Sequence, residues 1–220
     1  MRIDFHTHTF HSYDSLMKPG KILRLAKERG LDAIVINDHD TIKGGLACSG
    51  INTFPGLRVI VGAEIKTSVG DVTGIFLKEE IRSRNYADVV AEIKKQGGIT
   101  ILNHPFVGHK LDDMNFNGID LVEGYNGRTP PELNEKAIQL AKKLGKPVIS
   151  GSDAHVYSEV GRCYTEYEDP EDLFRPLKCH YEYSGYMPVG RSQLIKSFKK
   201  KDAELFARTL LKIIKKSILS

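Results

Sequence analysis

Five apolar runs of this chain end in imidazoles, carboxylates and their amide neighbours: His6-Thr7-His8, Asn37-Asp38-His39, Gly62-Ala63-Glu64, Asn103-His104-Pro105 and Ser152-Asp153-Ala154-His155. One such ending constrains little. Eight histidines produce a His-x-His pair by chance about 0.3 times. Five in succession constrain the topology. Donors that far apart in sequence meet only if their strands run in register and their C-terminal ends gather at one rim, as at the mouth of an α/β barrel.

The rest of the pattern agrees. Strands are predicted at Arg2–His6, Ala33–Asn37, Arg58–Glu64, Val72–Leu77, Ile99–Asn103, Ile119–Glu123 and Pro147–Gly151. Helices are predicted at Pro19–Glu28, Thr41–Cys48, Tyr86–Gln96, Pro131–Leu144, Pro170–Leu177 and Asp202–Ser217. Turn signals at Arg29-Gly30, Gly97-Gly98 and Leu144-Gly145 end three of these helices. Strands separated by helices indicate βα units and a parallel sheet. Runs such as Ala33–Ile36 and Ile99–Leu102 do not alternate, as expected of strands buried on both faces. About seven strands is slightly few for an eightfold barrel, so the expected fold is α/β, a small distorted β/α barrel. Strand alternation would turn Asp4, His6 and His8 towards its axis, and Ile3 and Phe5 towards the helices.

The chain suits a single domain over residues 1–220, with a core of ordinary size. Its opening, Met1-Arg2-Ile3-Asp4-Phe5-His6, lacks the apolar segment of a signal peptide. No apolar run is long enough to span a bilayer, so no membrane role is expected. Three widely spaced cysteines, Cys48, Cys163 and Cys179, argue against a disulfide framework and against thiolate–zinc chemistry. They fit reduced thiols and a cytoplasmic location. The net charge of +4 is concentrated at one end. From Ile195 to Ser220 eight Lys and Arg face two acids, +6, which leaves −2 for the remainder. The donors are nitrogen and oxygen, which suits zinc, manganese or iron. Glu64, alone at the end of an apolar strand, is the natural carboxylate to bridge two cations.

The order His-x-His, Asp-His, Gly-x-Glu, His-Pro, Ser-Asp-Ala-His, from Asp4 to about Thr165, resembles the polymerase and histidinol phosphatase (PHP) superfamily. The resemblance implies a distorted seven-stranded β/α barrel with two or three divalent metal ions at the strand ends. Carried onto this chain, the first ion is held by His6, His8, Glu64 and Asp153, and the second by Glu64 and His104. The third is held by His39, His155 and a residue from the loop after His8. Many members place an aspartate where this chain has Tyr13; the adjacent Asp14 is assigned instead. A further histidine, usual soon after the bridging glutamate, is missing. Asp71 stands there, so either Asp71 replaces it or the second ion is weakly held. His11 competes with Asp14. His109 and His180 are taken as surface residues. Asp4, Asp38 and Asn103 are expected to orient imidazoles by hydrogen bonds, and Glu123 and Asn126 to line the mouth.

Asp14, Glu64, Asp71 and Asp153 would bring about −4 into one cleft, and three divalent ions would turn that to about +2, the complement of a phosphate monoester dianion. The expected activity is therefore hydrolysis of a phosphate ester by metal-activated hydroxide. The substrate would be a phosphorylated small molecule, a nucleotide or an oligonucleotide end. Asp153, His155 and Arg162 are expected at the reacting phosphate. His155 would serve the leaving oxygen, and Arg162, with Lys110 behind it, would grip the phosphate. Histidinol phosphatase and 3'-5' exonuclease are alternatives within the superfamily. An amidohydrolase-like metal hydrolase and a non-catalytic metal-binding interaction domain are alternatives outside it. Residues 202–217 pattern as an amphipathic helix with its apolar face on the barrel. Its basic face, with Lys199-Lys200-Lys201, leaves nucleic-acid contact as a further partner.

Overall fold

The computed structural model describes residues 1–169 and 171–218. Among these residues nine strands form one sheet. They are β1 (Arg2–Asp4), β2 (Ala33–Ile36), β3 (Arg58–Lys66), β4 (Asp71–Ile75), β5 (Ile99–Leu102), β6 (Leu121–Asn126), β7 (Val148–Gly151), β8 (Tyr164–Glu166) and β9 (Lys178–His180). Their order is β7-β6-β5-β4-β3-β2-β1-β8-β9. The chain just past β1 meets the chain just past β7, where Thr7 pairs with Ala154 in parallel. There the His8 N–H donates to the Ala154 carbonyl (2.9 Å) and the Ala154 N–H to that of His6 (3.1 Å). The sheet is thus a nearly closed barrel.

Among the described residues six α-helices accompany it: α1 (Pro19–Glu28), α2 (Lys43–Ile51), α3 (Tyr86–Lys95), α4 (Pro131–Leu144), α5 (Tyr186–Lys200) and α6 (Ala203–Ile218). Local chemistry explains their limits. Pro19 and Pro131 open α1 and α4, where a missing N–H costs nothing. The Asn85 side chain accepts from the Ala87 and Asp88 N–H groups at the start of α3, a favourable N-cap. Gly145 closes α4 in the left-handed conformation, φ 63°, which glycine adopts without a Cβ clash.

One apolar cluster takes a residue from each of β1 to β7: Ile3 and Phe5, Ala33 and Val35, Ile60, Ile75, Ile101, Leu121 and Ile149. Only the barrel interior touches all seven strands. A second cluster packs β1–β2 side helices onto the outside through Ile22, Leu23, Cys48, Ile34 and Ile36. A third does so for α3 and α4 through Val89, Ile93, Ala141, Val72 and Val122. Ile3 and Phe5 therefore face the axis, the reverse of the alternation predicted for β1. The strand stops at Asp4, whose Oδ1 accepts the His6 N–H at 3.1 Å. This local turn shifts the alternation and swings His6 inward.

Other expectations need correction. The sheet is not all parallel: β4 is antiparallel to both β3 and β5, and β8 is antiparallel to β1 and β9. No helix occupies the predicted 170–177 segment; residues 171–177 form turns and bends, and Pro170 lies outside the described residues. Helix α5 was not predicted. The terminal helix α6 packs on α5, where Ile213 would meet any side chain at Gly190. Its Phe206, Leu210, Leu211 and Ile214 stay exposed instead of covering the barrel. Among the described residues no helix is long and apolar enough to cross a membrane.

Candidate metal centre

Every donor named from the sequence at a strand end lies at the barrel mouth. His6 Nε2 is 3.4 Å from Glu64 Oε2 and 3.6 Å from Asp153 Oδ1; His8 Nε2 is 3.5 Å and 3.3 Å from the same two oxygens. These nitrogen and oxygen donors surround one centre, and those of His6, His8 and Glu64 all lie within 4.8 Å of one another, a donor set suited to zinc. His6 Nε2, His8 Nε2 and Glu64 Oε2 are buried without a hydrogen-bond partner. Buried polar atoms are rarely left so, and a cation at that centre would satisfy all three.

Glu64 also faces two neighbouring groups. Its Oε1 lies 3.0 Å from His104 Nε2, and Asp71 completes a set of donor atoms within 4.8 Å of one another. On the other side, Glu64 Oε2 is 3.0 Å from His39 Nδ1. Asp14 stands between His39 and His155, 3.2 Å from Nε2 of each, and its Oδ1 is another buried atom without a hydrogen bond. Asp14, and neither Tyr13 nor His11, is therefore the residue the loop presents. Tyr13 stacks on His39 (centroids 4.4 Å apart, planes at 5°), and His11 stacks on Phe10.

Hydrogen bonds on the far ring nitrogens aim the imidazoles. His6 Nδ1 donates to Glu123 Oε1 (2.9 Å) and His155 Nδ1 to the Asp153 carbonyl (2.8 Å). His8 Nδ1 donates to Ser12 Oγ (3.0 Å), which donates on to Asp38 Oδ1 (2.7 Å). Each leaves Nε2 with its lone pair towards the pocket, the arrangement that orients metal-binding histidines. Asn103 Nδ2 donates to Glu64 Oε1 (3.1 Å) and Thr73 Oγ1 (2.7 Å), so it orients the carboxylate and not an imidazole. Asn126 Nδ2 donates to Glu123 Oε2 (2.9 Å) and Asp153 Oδ2 (3.3 Å). Asp4 turns away, to the loop after β7. His104 (φ 24°) and Asp153 (φ 52°) have left-handed backbones, a strain of order 1–3 kcal/mol that concentrates at functional sites. Gly151 matters here too: a Cβ on it would lie 2.5 Å from His6 Cβ.

Burial opposes every charge in this pocket, yet mutual attraction prevails. Glu123, Asp153 and Glu64 hold His6 well above the usual imidazole range, and Glu64 and Asp14 do the same for His39. Against burial, Glu64 lifts His104 to about 9. Against burial, His6 and His39 hold Glu64, His6 and His8 hold Asp153, and His155 with His39 holds Asp14 below the carboxylate range. His8 is the exception, pushed down to about 3 by burial and by His155 and His39. Burial, then Glu64, raises Asp71. Without a cation, protons on His6, His39 and His104 neutralise the pocket, so a metal must displace them. Calorimetric titration with zinc near neutral pH, in two buffers of different protonation enthalpy, should show net proton release. Affinity should rise with pH towards the His104 value of about 9. Buffer-independent enthalpies would contradict this.

Two expectations fail on geometry. Arg162 pairs with Glu182 at 2.8 Å in an outer groove with Arg29, Tyr164 and His180, because the chain turns outward at Gly161 (φ 69°). The arginine at the mouth is Arg128, after β6. It lines a cleft of about 220 Å³ beside His104 and Asp153 and is held by Glu159 (3.3 Å) and Ser192 Oγ (2.5 Å). His109 is not a free surface residue either. Its ring packs edge-on to His104 (5.7 Å) and its Nε2 lies 2.9 Å from the Asp71 carbonyl. His180 does lie outside the site, against Tyr164. Only the sequence neighbourhood of Asn126, already noted at a strand end, pointed towards Arg128.

Fold and pocket together define a barrel whose mouth carries clustered donors suited to divalent metal. Residues 131–180 match the PHP-associated family model. The chain is 32% identical to the uncharacterized protein MJ1587 of Methanocaldococcus jannaschii over 143 residues, 57% of this chain and 84% of that one. It is similar to a two-domain protein from Bacteroides vulgatus containing a predicted PHP-like metal-dependent phosphoesterase (24% identity, 75% of this chain, TM-score 0.64), of which it spans 57%. It is also similar to an amidohydrolase from Chromobacterium violaceum, solved with bound sulfate and no metal (16% identity, 76% of this chain and 92% of that one, TM-score 0.61). The chain belongs to the PHP superfamily.

Proposed function

We propose that this chain hydrolyses phosphate esters with two or three divalent cations (zinc, manganese or iron) held at the barrel mouth. The observation that carries the reading is the sharing of Glu64. Its two oxygens face His6, His8 and His39 on one side and His104 on the other, as a carboxylate bridging adjacent cations would. Bound there, the cations would supply Lewis-acid charge and a water acidified towards a pKa of about 7.

The chain's own groups do the rest. His6, His8 and Asp153 fix one position, His104 and Asp71 a second, and Asp14, His39 and His155 a third. Three divalent ions against Asp14, Glu64, Asp71 and Asp153 leave about +2, which favours a dianionic phosphate over a neutral amide. The Arg128 guanidinium, ion-paired with Glu159, would offer its remaining N–H donors to the non-reacting phosphate oxygens in the cleft beside His104 and Asp153. His155 serves the leaving oxygen: its Nδ1 is committed to the Asp153 carbonyl, so Nε2 either holds the third cation or carries the proton. Substrates are phosphorylated small molecules, nucleotides or oligonucleotide ends.

The likeness to an amidohydrolase favours a second reading, hydrolysis of an amide or lactone in the same pocket. The positive charge that three cations would leave in the pocket favours the first. Metal analysis followed by a phosphate-release screen over monoesters, dinucleotides and oligonucleotides separates them. Metal-dependent release of phosphate is expected. Cleavage of amides or lactones with no phosphate release would overturn the proposal in favour of the second reading.

A further inference from the structure

Helix α5, absent from the sequence prediction, spans the mouth. At its N-terminal half, Arg128 Nη2 donates to Ser192 Oγ (2.5 Å) and the Pro188 carbonyl (3.2 Å), and Val189 lines the cleft beside His104 and Asp153. At its C-terminal half, the Lys199 ammonium donates to the carbonyls of Phe10 (2.8 Å), Ser12 (2.7 Å) and Ser15 (2.8 Å). All three protons of that ammonium are used, and all three acceptors lie in the loop that carries Asp14. The helix is therefore fastened to the β6 side and the β1 side of the pocket.

So fastened, α5 sets two further lysines over the site. Lys196 Nζ lies 5.0 Å and Lys200 Nζ 4.1 Å from the centroid of the Tyr13 ring, whose plane stacks on His39. The two are four residues apart, so they share one helix face. Like charges at that spacing destabilise a helix, and the tyrosine face offsets only part of this. Among the described residues neither lysine has a carboxylate within ion-pair distance. Burial lowers the Lys196 ammonium's pKa; Asp14 opposes this, Lys200 and Lys66 add to it, and Asp71 opposes it. The lysine thus feels both the pocket's carboxylates and Lys66 at the end of β3. Uncompensated positive charge gathered on the rim of a pocket is a binding site for an anion.

We propose that Lys196 and Lys200 bind a second anionic group of the substrate, one on the leaving-group side of the ester, and so select phosphate esters that carry a further phosphate or carboxylate. This rests on the phosphoesterase reading for the identity of the first group; the site itself does not require turnover. It also gives the basic run near residue 200 a role at the mouth.

The test uses the full chain loaded with manganese and probes that cannot be hydrolysed. Propylphosphonate carries one anionic group, phosphonopropionate adds a carboxylate, and propylene bisphosphonate adds a second phosphonate. By calorimetry the wild type should bind at least one of the two-group probes about tenfold more tightly than propylphosphonate. Whichever it prefers identifies the second group. In the Lys196→Gln/Lys200→Gln double variant that ratio should collapse to within about twofold, and in Lys196→Arg/Lys200→Arg it should persist. No preference in the wild type, or a preference that survives the Gln pair, overturns the proposal. Failure of the phosphoesterase reading would appear separately, as an absence of phosphate release from any ester while the probe preferences remain.

Discussion

Glu64→Ala should empty the pocket of metal and lower phosphate-ester turnover about a thousandfold or more, equivalent to at least about 4 kcal/mol of lost transition-state stabilisation. Glu64 lies within 3.5 Å of a histidine of each of the three groups. His8→Ala and Asp153→Ala should each abolish activity too, but each keeps Glu64 together with His39, His104 and Asp14, and so should retain more metal. The fold should survive all three changes. Glu64 sits above the apolar interior formed by Ile3, Phe5, Ile60, Ile101 and Ile149, and none of those contacts depends on it. Nor does its loss strand a charge: against burial, Glu64 is the first influence that raises His39 and His104, which shed protons when it is gone, and His6 keeps Glu123 and Asp153 as partners. Metal content by mass spectrometry, phosphate release, and thermal melts in chelator measure the three parts. Turnover within a few-fold of wild type in any of these variants would falsify the assignment of the pocket as the reaction centre.

Much of this pocket was legible because strand ends in a barrel converge whatever the loops do. His6, His39, Glu64, His104 and Asp153 each follow an apolar run, and burial of those runs is enough to bring them together. Asp14 was reached only through the family resemblance, as the neighbour of the position where many members carry an aspartate. What could not be read depends on pairing partners and on backbone turns. Strand direction leaves no local trace: Asp71–Ile75 has the composition of its neighbours yet runs antiparallel to both. The facing of β1 was inverted because one hydrogen bond from the His6 N–H to Asp4 overrides the period-two rule. Arg162 follows the last motif in sequence but lies beyond the outward turn at Gly161, whereas Arg128 returns to the mouth from β6. Helix α5 hides behind Pro188 and Gly190, which interrupt its periodicity. Its fastenings, Lys199 to loop carbonyls and Arg128 to Ser192, are long-range contacts that sequence does not announce.

Asp4→Ala should cost about 3–5 kcal/mol of stability, the sum of several buried donors losing one acceptor. The Asp4 side chain is fully buried and ties the end of β1 to the loop after β7, where the barrel closes. Its Oδ1 accepts from the His6 N–H (3.1 Å) and the Ser152 N–H (2.9 Å); its Oδ2 accepts from Ser152 Oγ (2.5 Å) and the Gly161 N–H (2.9 Å). The serine hydroxyl can turn to the His6 carbonyl, 3.2 Å away, but the three backbone donors have no substitute. At roughly 2–4 °C per kcal/mol for a chain of this size, the melting temperature should fall by about 10 °C. The loss should depend on pH in a defined sense. Burial raises the Asp4 carboxyl to about 6 against the lowering effect of its hydrogen bonds, while in the unfolded chain it titrates near 3.9. Between those values the folded protein holds a proton that the unfolded chain has released. The stabilisation from this linkage is full below about pH 4 and is lost as pH rises through 6. In chelator, so that metal release does not intervene, the lead of wild type over Asp4→Ala should therefore be larger at about pH 4 than near neutrality. A lead that grew with pH would mean that the carboxylate, and not the protonated acid, is the form the barrel closure prefers.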